Sequence, residues 1–236
     1  MNKYNIKSSL GALLIATTFL LAGCPSPPEF PVEPSIAFQD ISFEQFPVEG
    51  LPNVTEDVIS VTIAFEDGNG DLGLSSNDIN GPYEEFSIPL DEQRVPFFIG
   101  QNDTLPSYNT QDYLVIREDD TTIVGNAVLA GDTIFIVRNE RYYNIFIKMF
   151  YQPGGSDEFV EYLWPDNQTF HGRFPILNTE DYQRPLNGEL TYEIKSSQFQ
   201  SVFRADPLKI ETYILDRAGN RSNTIQTDPI ALITFD

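Results

Sequence analysis

The chain of 236 residues is poor in the residues that carry most enzymatic chemistry: it has one cysteine, one histidine and one tryptophan. A single cysteine excludes any intramolecular disulfide, so the domain must be held together by its core. The same counts exclude zinc sites of the Cys/His type. The lone His171, in LWPDNQTFHGRFP, is accompanied by no serine elbow and no HExxH pattern, which removes the usual base of hydrolytic mechanisms. Adjacent acids such as Glu84-Glu85 and Asp119-Asp120 do not replace it, because glycoside hydrolysis needs carboxylates facing each other across a substrate. Basic residues are also scarce, 14 against 35 acidic, for a net charge of −21. Such a chain repels polyanions, which excludes nucleic-acid binding. No segment shows helical periodicity over three turns.

The first residues form a recognisable pattern. Lys3 and Lys7 precede the apolar run LGALLIATTFLLA, Leu10 to Ala22, which has secretory-signal proportions and is too short for an ordinary membrane span. It ends in Leu21-Ala22-Gly23-Cys24, which resembles the lipobox of bacterial lipoproteins. The resemblance implies removal of residues 1–23 and a lipid on Cys24 as the link to the membrane. The processed chain would hold 12 basic and 35 acidic residues, net −23. Residues 24–34 read as a tether, since PSPPEFPVEP has five prolines in ten residues and favours an extended, semi-rigid spacer.

From Ser35 to Asp236 the periodicity is two. In VISVTIAF, Ile59, Val61, Ile63 and Phe65 share one face, and Ser60, Thr62 and Ala64 the other. SIAFQDISF, TTIVGNAV, DTIFIVR, YYNIFIKMFY, ELTYEIK, LKIETYIL and PIALITF read similarly, separated by Gly, Pro, Asn and Asp clusters. The expected fold is all-β, a mainly antiparallel sandwich, with an irregular loop-rich insertion at about 77–117. The segment IETYILDRAGNRSNTIQTDPIAL resembles the final hairpin of bacterial immunoglobulin-like and cadherin-like domains, with Gly219 and Asn220 suited to the turn. Together with FEDGNGDLG (Phe65 to Gly73) it is similar to uncharacterised outer-membrane lipoproteins of the Bacteroidota. That resemblance implies an envelope address and no particular reaction.

FEDGNGDLGLSSND carries the strongest candidate site. Counting from Asp67, oxygen-bearing side chains recur at Asp67, Asn69, Asp71, Ser75 and Asp78, and Gly73 can offer its carbonyl. Calcium takes six to eight oxygen ligands, and the spacing resembles the ligand pattern of an EF-hand loop. Leu72 stands where an EF-hand needs glycine, and the preceding segment reads as a strand, so this is not an EF-hand. Two readings stay open: a calcium loop on a β-scaffold, or a hairpin with Asn69-Gly70 in a type I′ turn.

A second candidate is aromatic. Tyr162, Trp164, Phe170 and His171 lie near Asp166, Asn167 and Gln168, which suits sugar stacking or a protein anchor; the competing reading makes Trp164 the core tryptophan of the sandwich. Asp103-Thr104-Leu105 resembles the O-glycosylation acceptor of Bacteroidota, with Thr104 as the acceptor. The expected function is a non-catalytic interaction or scaffold module of the outer membrane, with a protein partner there. The alternative is a surface glycan-binding lipoprotein. An enzyme is a third reading with no constellation behind it. Periplasmic and surface faces both stay open.

Overall fold

A computed structural model of the protein describes residues 29–51, 54–101, 103–154, 156–179 and 184–232. The segment expected to be a leader, residues 1–23, and Cys24 lie outside the described residues. Two antiparallel sheets enclose the main core, in a mainly antiparallel sandwich. In the first sheet β2 (Thr55–Asp67) lies between β1 (Ser35–Pro47) and a long strand near residue 190, numbered β11 (Leu186–Ser196). The second sheet has the order β10 (Val160–Glu161), β9 (Ile145–Tyr151), β12 (Leu208–Ile214) and β13 (Ile225–Gln226).

The alternation in the sequence explains the layers. Ile59, Val61, Ile63 and Phe65 of β2 turn inward, as do Ile145, Ile147 and Met149 of β9 and Leu208, Ile210 and Ile214 of β12. Full burial of such a side chain contributes about 1.5–3 kcal/mol, so these strands dominate the stability of the sandwich. Register is fixed by this pattern, because a one-residue slip would turn every apolar side chain outward. Ile36 pairs with Phe65 in β1–β2, and Ile194 with Ile59 in β2–β11. A short helix α1 (Phe199–Phe203) adds two fully buried rings. Its Gln200 N–H is held by the buried Asp57 carboxylate at 2.8 Å.

Three two-stranded ladders lie between β2 and β9. They are β3 (Phe86–Ser87) with β8 (Val137–Arg138), β4 (Tyr113–Val115) with β7 (Thr133–Phe135), and β5 (Thr122–Val124) with β6 (Ala127–Leu129). The β3–β8 pair closes the base of this region, which therefore extends beyond residue 117 to Arg138. Its own small core comprises Ile116, Leu129 and Ile134. TTIVGNAV is not one strand, because Gly125 at φ +59° folds it into the β5–β6 hairpin.

Candidate metal centre

Asp67 is the last residue of β2, so the strand carries its side chain to the sandwich's end in an ordered position. The next residues leave the sheet tightly. Gly70 has φ +68°, and a Cβ there would stand 2.1 Å from the Arg184 carbonyl oxygen. Only glycine allows so close a backbone approach. Asn69 is absent from the left-handed region, so Asn69-Gly70 does not form a type I′ hairpin turn. Instead Asn69 Oδ1 accepts the Asp71 N–H at 3.3 Å, and Asp67 Oδ2 accepts the same N–H at 2.9 Å. The chain then makes an antiparallel bridge from Leu72 to Asp216.

That bridge joins two motifs distant in sequence. Asp216 opens the turn after β12, where its Oδ1 accepts the Asn220 N–H and its Oδ2 the Asn220 amide, each at 2.7 Å. Gly219, at φ +93°, lets the turn close. Arg217 N–H donates to the Asp71 carbonyl at 3.2 Å and fastens the turn to the loop. As a result Asp67, Asp71 and Asp216 each place a carboxylate oxygen within 4.8 Å of the other two. Two oxygens bound to one calcium at 2.3–2.6 Å can stand at most about 5 Å apart, so one ion can touch all three.

Asp67 is fully buried and Asp216 is 5% exposed. Asp67 Oδ1 and Asp71 Oδ1 are buried without a hydrogen-bond partner among the described residues. Burial, followed by the Asp71 charge, pushes the Asp67 pKa from 3.8 to about 6. Burial and Asp216 also raise that of Asp71, against the opposing effects of the Ala218 N–H and Arg217. A buried carboxylate oxygen without a donor is destabilising by itself, and three acids together add repulsion. A bound divalent cation would remove both penalties. The donor atoms available there are carboxylate oxygens, which suit a hard cation.

The other loop positions have different roles. Asp78 accepts the Ser75 N–H at 2.7 Å and pairs with Arg217 at 2.6 Å, and Arg217 holds its carboxyl below the ordinary range. The Ser75 hydroxyl accepts the Asn77 N–H at 3.2 Å, and its carbonyl accepts from Arg173. Gly73, at φ +100°, lies against the Pro175 backbone, and its carbonyl faces Arg217 at 3.5 Å. The structure thus gathers Asp67 and Asp71, with Asn69 beside them, and directs Ser75 and Asp78 to the arginines. Asp216 was invisible to spacing within the loop. Its turn motif was the available signal, read for turn geometry alone.

The aromatic segment is divided by burial. Trp164 is 8% exposed and packs edge-on against Tyr162, Phe170, Phe199 and Phe203. His171 Nδ1 accepts the Ile147 N–H at 3.0 Å, and burial lowers its pKa to about 4. It is therefore neutral near pH 7 with its proton on Nε2. Both residues line a cavity of about 220 Å³, with Lys148, Glu161 and Gln168. Thr104 is exposed in a turn between β3 and β4. Comparison with protein-family models, curated proteins and solved structures finds no match.

Proposed function

We propose that this chain is a non-catalytic module of the bacterial envelope, tethered by a lipid on Cys24, whose immunoglobulin-like sandwich is locked by calcium at Asp67, Asp71 and Asp216. The observation that carries this reading is a pair of buried carboxylate oxygens without donors among the described residues, in a cluster that one ion can span. Asn69, backbone carbonyls and water complete the six to eight oxygens calcium takes. The ion's role is structural: it joins the end of β2 to the turn after β12.

The module serves as an interaction or scaffold part, an accessory subunit beside a protein of the outer membrane. Ile123 and Val128 support this role. They face each other across the β5–β6 hairpin and are 76% and 69% exposed, an apolar tip suited to a protein contact. The proline-rich stretch after Cys24 would hold the module off the membrane.

Calorimetric titration of residues 25–236 with calcium tests the reading, with magnesium as control. One calcium per chain is expected, lost when Asp67→Asn and Asp71→Asn are combined. No calcium binding removes the metal from the proposal. A second reading, glycan binding, is favoured by the cavity beside Trp164, whose indole N–H is buried without a partner among the described residues. Trp164 is the sole tryptophan, so its emission should shift when a neutral oligosaccharide binds there. Unchanged emission across glucan and xylan oligosaccharides would exclude that reading.

A further inference from the structure

The two stretches that supply the carboxylates also hold the start of the described chain. Gly68, next to Asp67, donates its N–H to the Pro31 carbonyl at 2.8 Å. A Cβ on Gly68 would stand 2.3 Å from the Phe30 carbonyl oxygen and 2.6 Å from that of Pro31, so the backbone of Phe30–Pro31 lies directly on the glycine. Beyond the Asp216 turn, Asn223 grips Ile36 from both sides. Its Oδ1 accepts the Ile36 N–H, and its amide donates to the Ile36 carbonyl, both at 2.8 Å. Pro34, between these two clamps, is buried. Residues 30–36 therefore form a strap fastened at one end beside Asp67 and at the other beyond the Asp216 turn.

We infer that the cation centre is a lock on this strap: a divalent cation, calcium by the chemistry above, holds the tether against the sandwich, and its loss releases it. The inference rests on the cation reading of the same site. Without a cation, mutual repulsion of Asp67, Asp71 and Asp216 drives the loop and the turn apart. The Gly68 clamp sits on the loop and the Asn223 clamp follows the turn, so separation of loop and turn strains the strap that joins them. Release of residues 30–34 would lengthen the leash by about 15 Å at the rise of an extended proline-rich chain. Calcium in the surroundings would thereby set how far the module stands from its anchor.

Hydrogen exchange of the full mature, lipid-bearing chain in detergent tests this, in millimolar calcium against EDTA at equal ionic strength, with calcium binding measured in parallel by calorimetry. The informative amides are Gly68, which donates to Pro31, and Ile36, which donates to Asn223. Peptides spanning 30–40 and 66–70 are expected to exchange at least tenfold more slowly with calcium. The difference should vanish in the double variant Asp67→Asn, Asp71→Asn. Calcium binding with unchanged exchange of these peptides overturns the lock and leaves the cation centre standing. Absence of calcium binding overturns both. A calcium effect that survives in the double variant also overturns the lock, because the ion would then act from another site.

Discussion

Asp216 and Arg217 are adjacent in one turn, yet the carboxylates they serve are in opposite situations. Arg217 reaches Asp78 at 2.6 Å, and the Asp78 carboxyl is held below its ordinary pKa. Asp216 faces Asp67 and Asp71, whose pKa values are both raised. Arg217 does act on Asp71, but burial and the Asp216 charge outweigh it. A cation within a few residues therefore does not ensure neutralisation; direction and burial decide which acid it serves. The Asp78 pair is complete with protein atoms, whereas the buried cluster keeps two carboxylate oxygens without a donor among the described residues.

The strongest test of this division is thermal unfolding in calcium and in EDTA. A ligand that binds only the folded state, at a thousandfold excess over its Kd, stabilises by about 4 kcal/mol. For a domain of this size each kcal/mol corresponds to roughly 2–4 °C, so Tm should rise by roughly 8–16 °C. Asp67→Ala combined with Asp71→Ala should abolish the rise. Equal loss in Asp78→Ala would show that Asp78 serves the same site as Asp67 and Asp71.

The pH dependence should follow, with opposite signs at the two sites. Asp67 moves from 3.8 to about 6 on folding, so the fold favours its protonated form. Without calcium, its contribution is most favourable below about pH 4 and is lost as pH rises through about 6. A shift of this size corresponds to roughly 3 kcal/mol. Asp78 has a lowered folded-state pKa, so its contribution is present above the ordinary value and is lost as pH falls. Protons compete with calcium at Asp67, so the gap between the calcium and EDTA melting curves should widen from pH 5 to 7.5. A decline with pH in EDTA that persists unchanged in Asp67→Asn would refute this assignment.

Asp216→Asn separates charge from turn geometry at the residue beside Arg217. An amide oxygen can still accept the Asn220 N–H, the bond from the Asn220 side-chain amide is lost, and one negative charge leaves the cluster, whose relief outweighs that single bond. In EDTA the variant should melt slightly higher than the parent, because repulsion is relieved. In calorimetry its calcium affinity should fall about tenfold, which is roughly 1.4 kcal/mol. A lower Tm in EDTA with unchanged calcium affinity would make Asp216 a turn residue alone.

Much of the fold was legible because β-strands leave a local mark. The alternation in VISVTIAF specified both the strand β2 and its buried face. The insertion was less legible, since its ladders span only two or three residues, too few for a period to emerge. The loop's share of the site was readable for a similar reason: Asp67, Asn69 and Asp71 are local, and the intervening glycines mark a tight path. Asp216 was not, because its place in the cluster depends on the bridge to Leu72. Extending loop spacing to Ser75 and Asp78 assumed one continuous wrap around an ion. Gly73 breaks that wrap by turning the backbone against Pro175, after which Arg173 and Arg217 claim the remaining oxygens.

The smallest expected effect is that of Asp78→Ala, and it examines the division most closely. The Asp78 and Arg217 side chains are 22% and 26% exposed, and ion pairs open to solvent contribute about 1 kcal/mol or less. Loss of the bond from the Ser75 N–H adds a similar amount at most. Tm should therefore fall by a few degrees, with the calcium response retained. Without Asp78, Arg217 could turn toward Asp71, whose pKa it already lowers, and compete with the ion. If the turn geometry keeps Arg217 in place through its N–H bond to the Asp71 carbonyl, calcium affinity should change by less than about threefold, under 0.7 kcal/mol. A loss beyond tenfold would show that the guanidinium and the cation are interchangeable occupants. The two carboxylate sites would then be one network with a shared counter-charge.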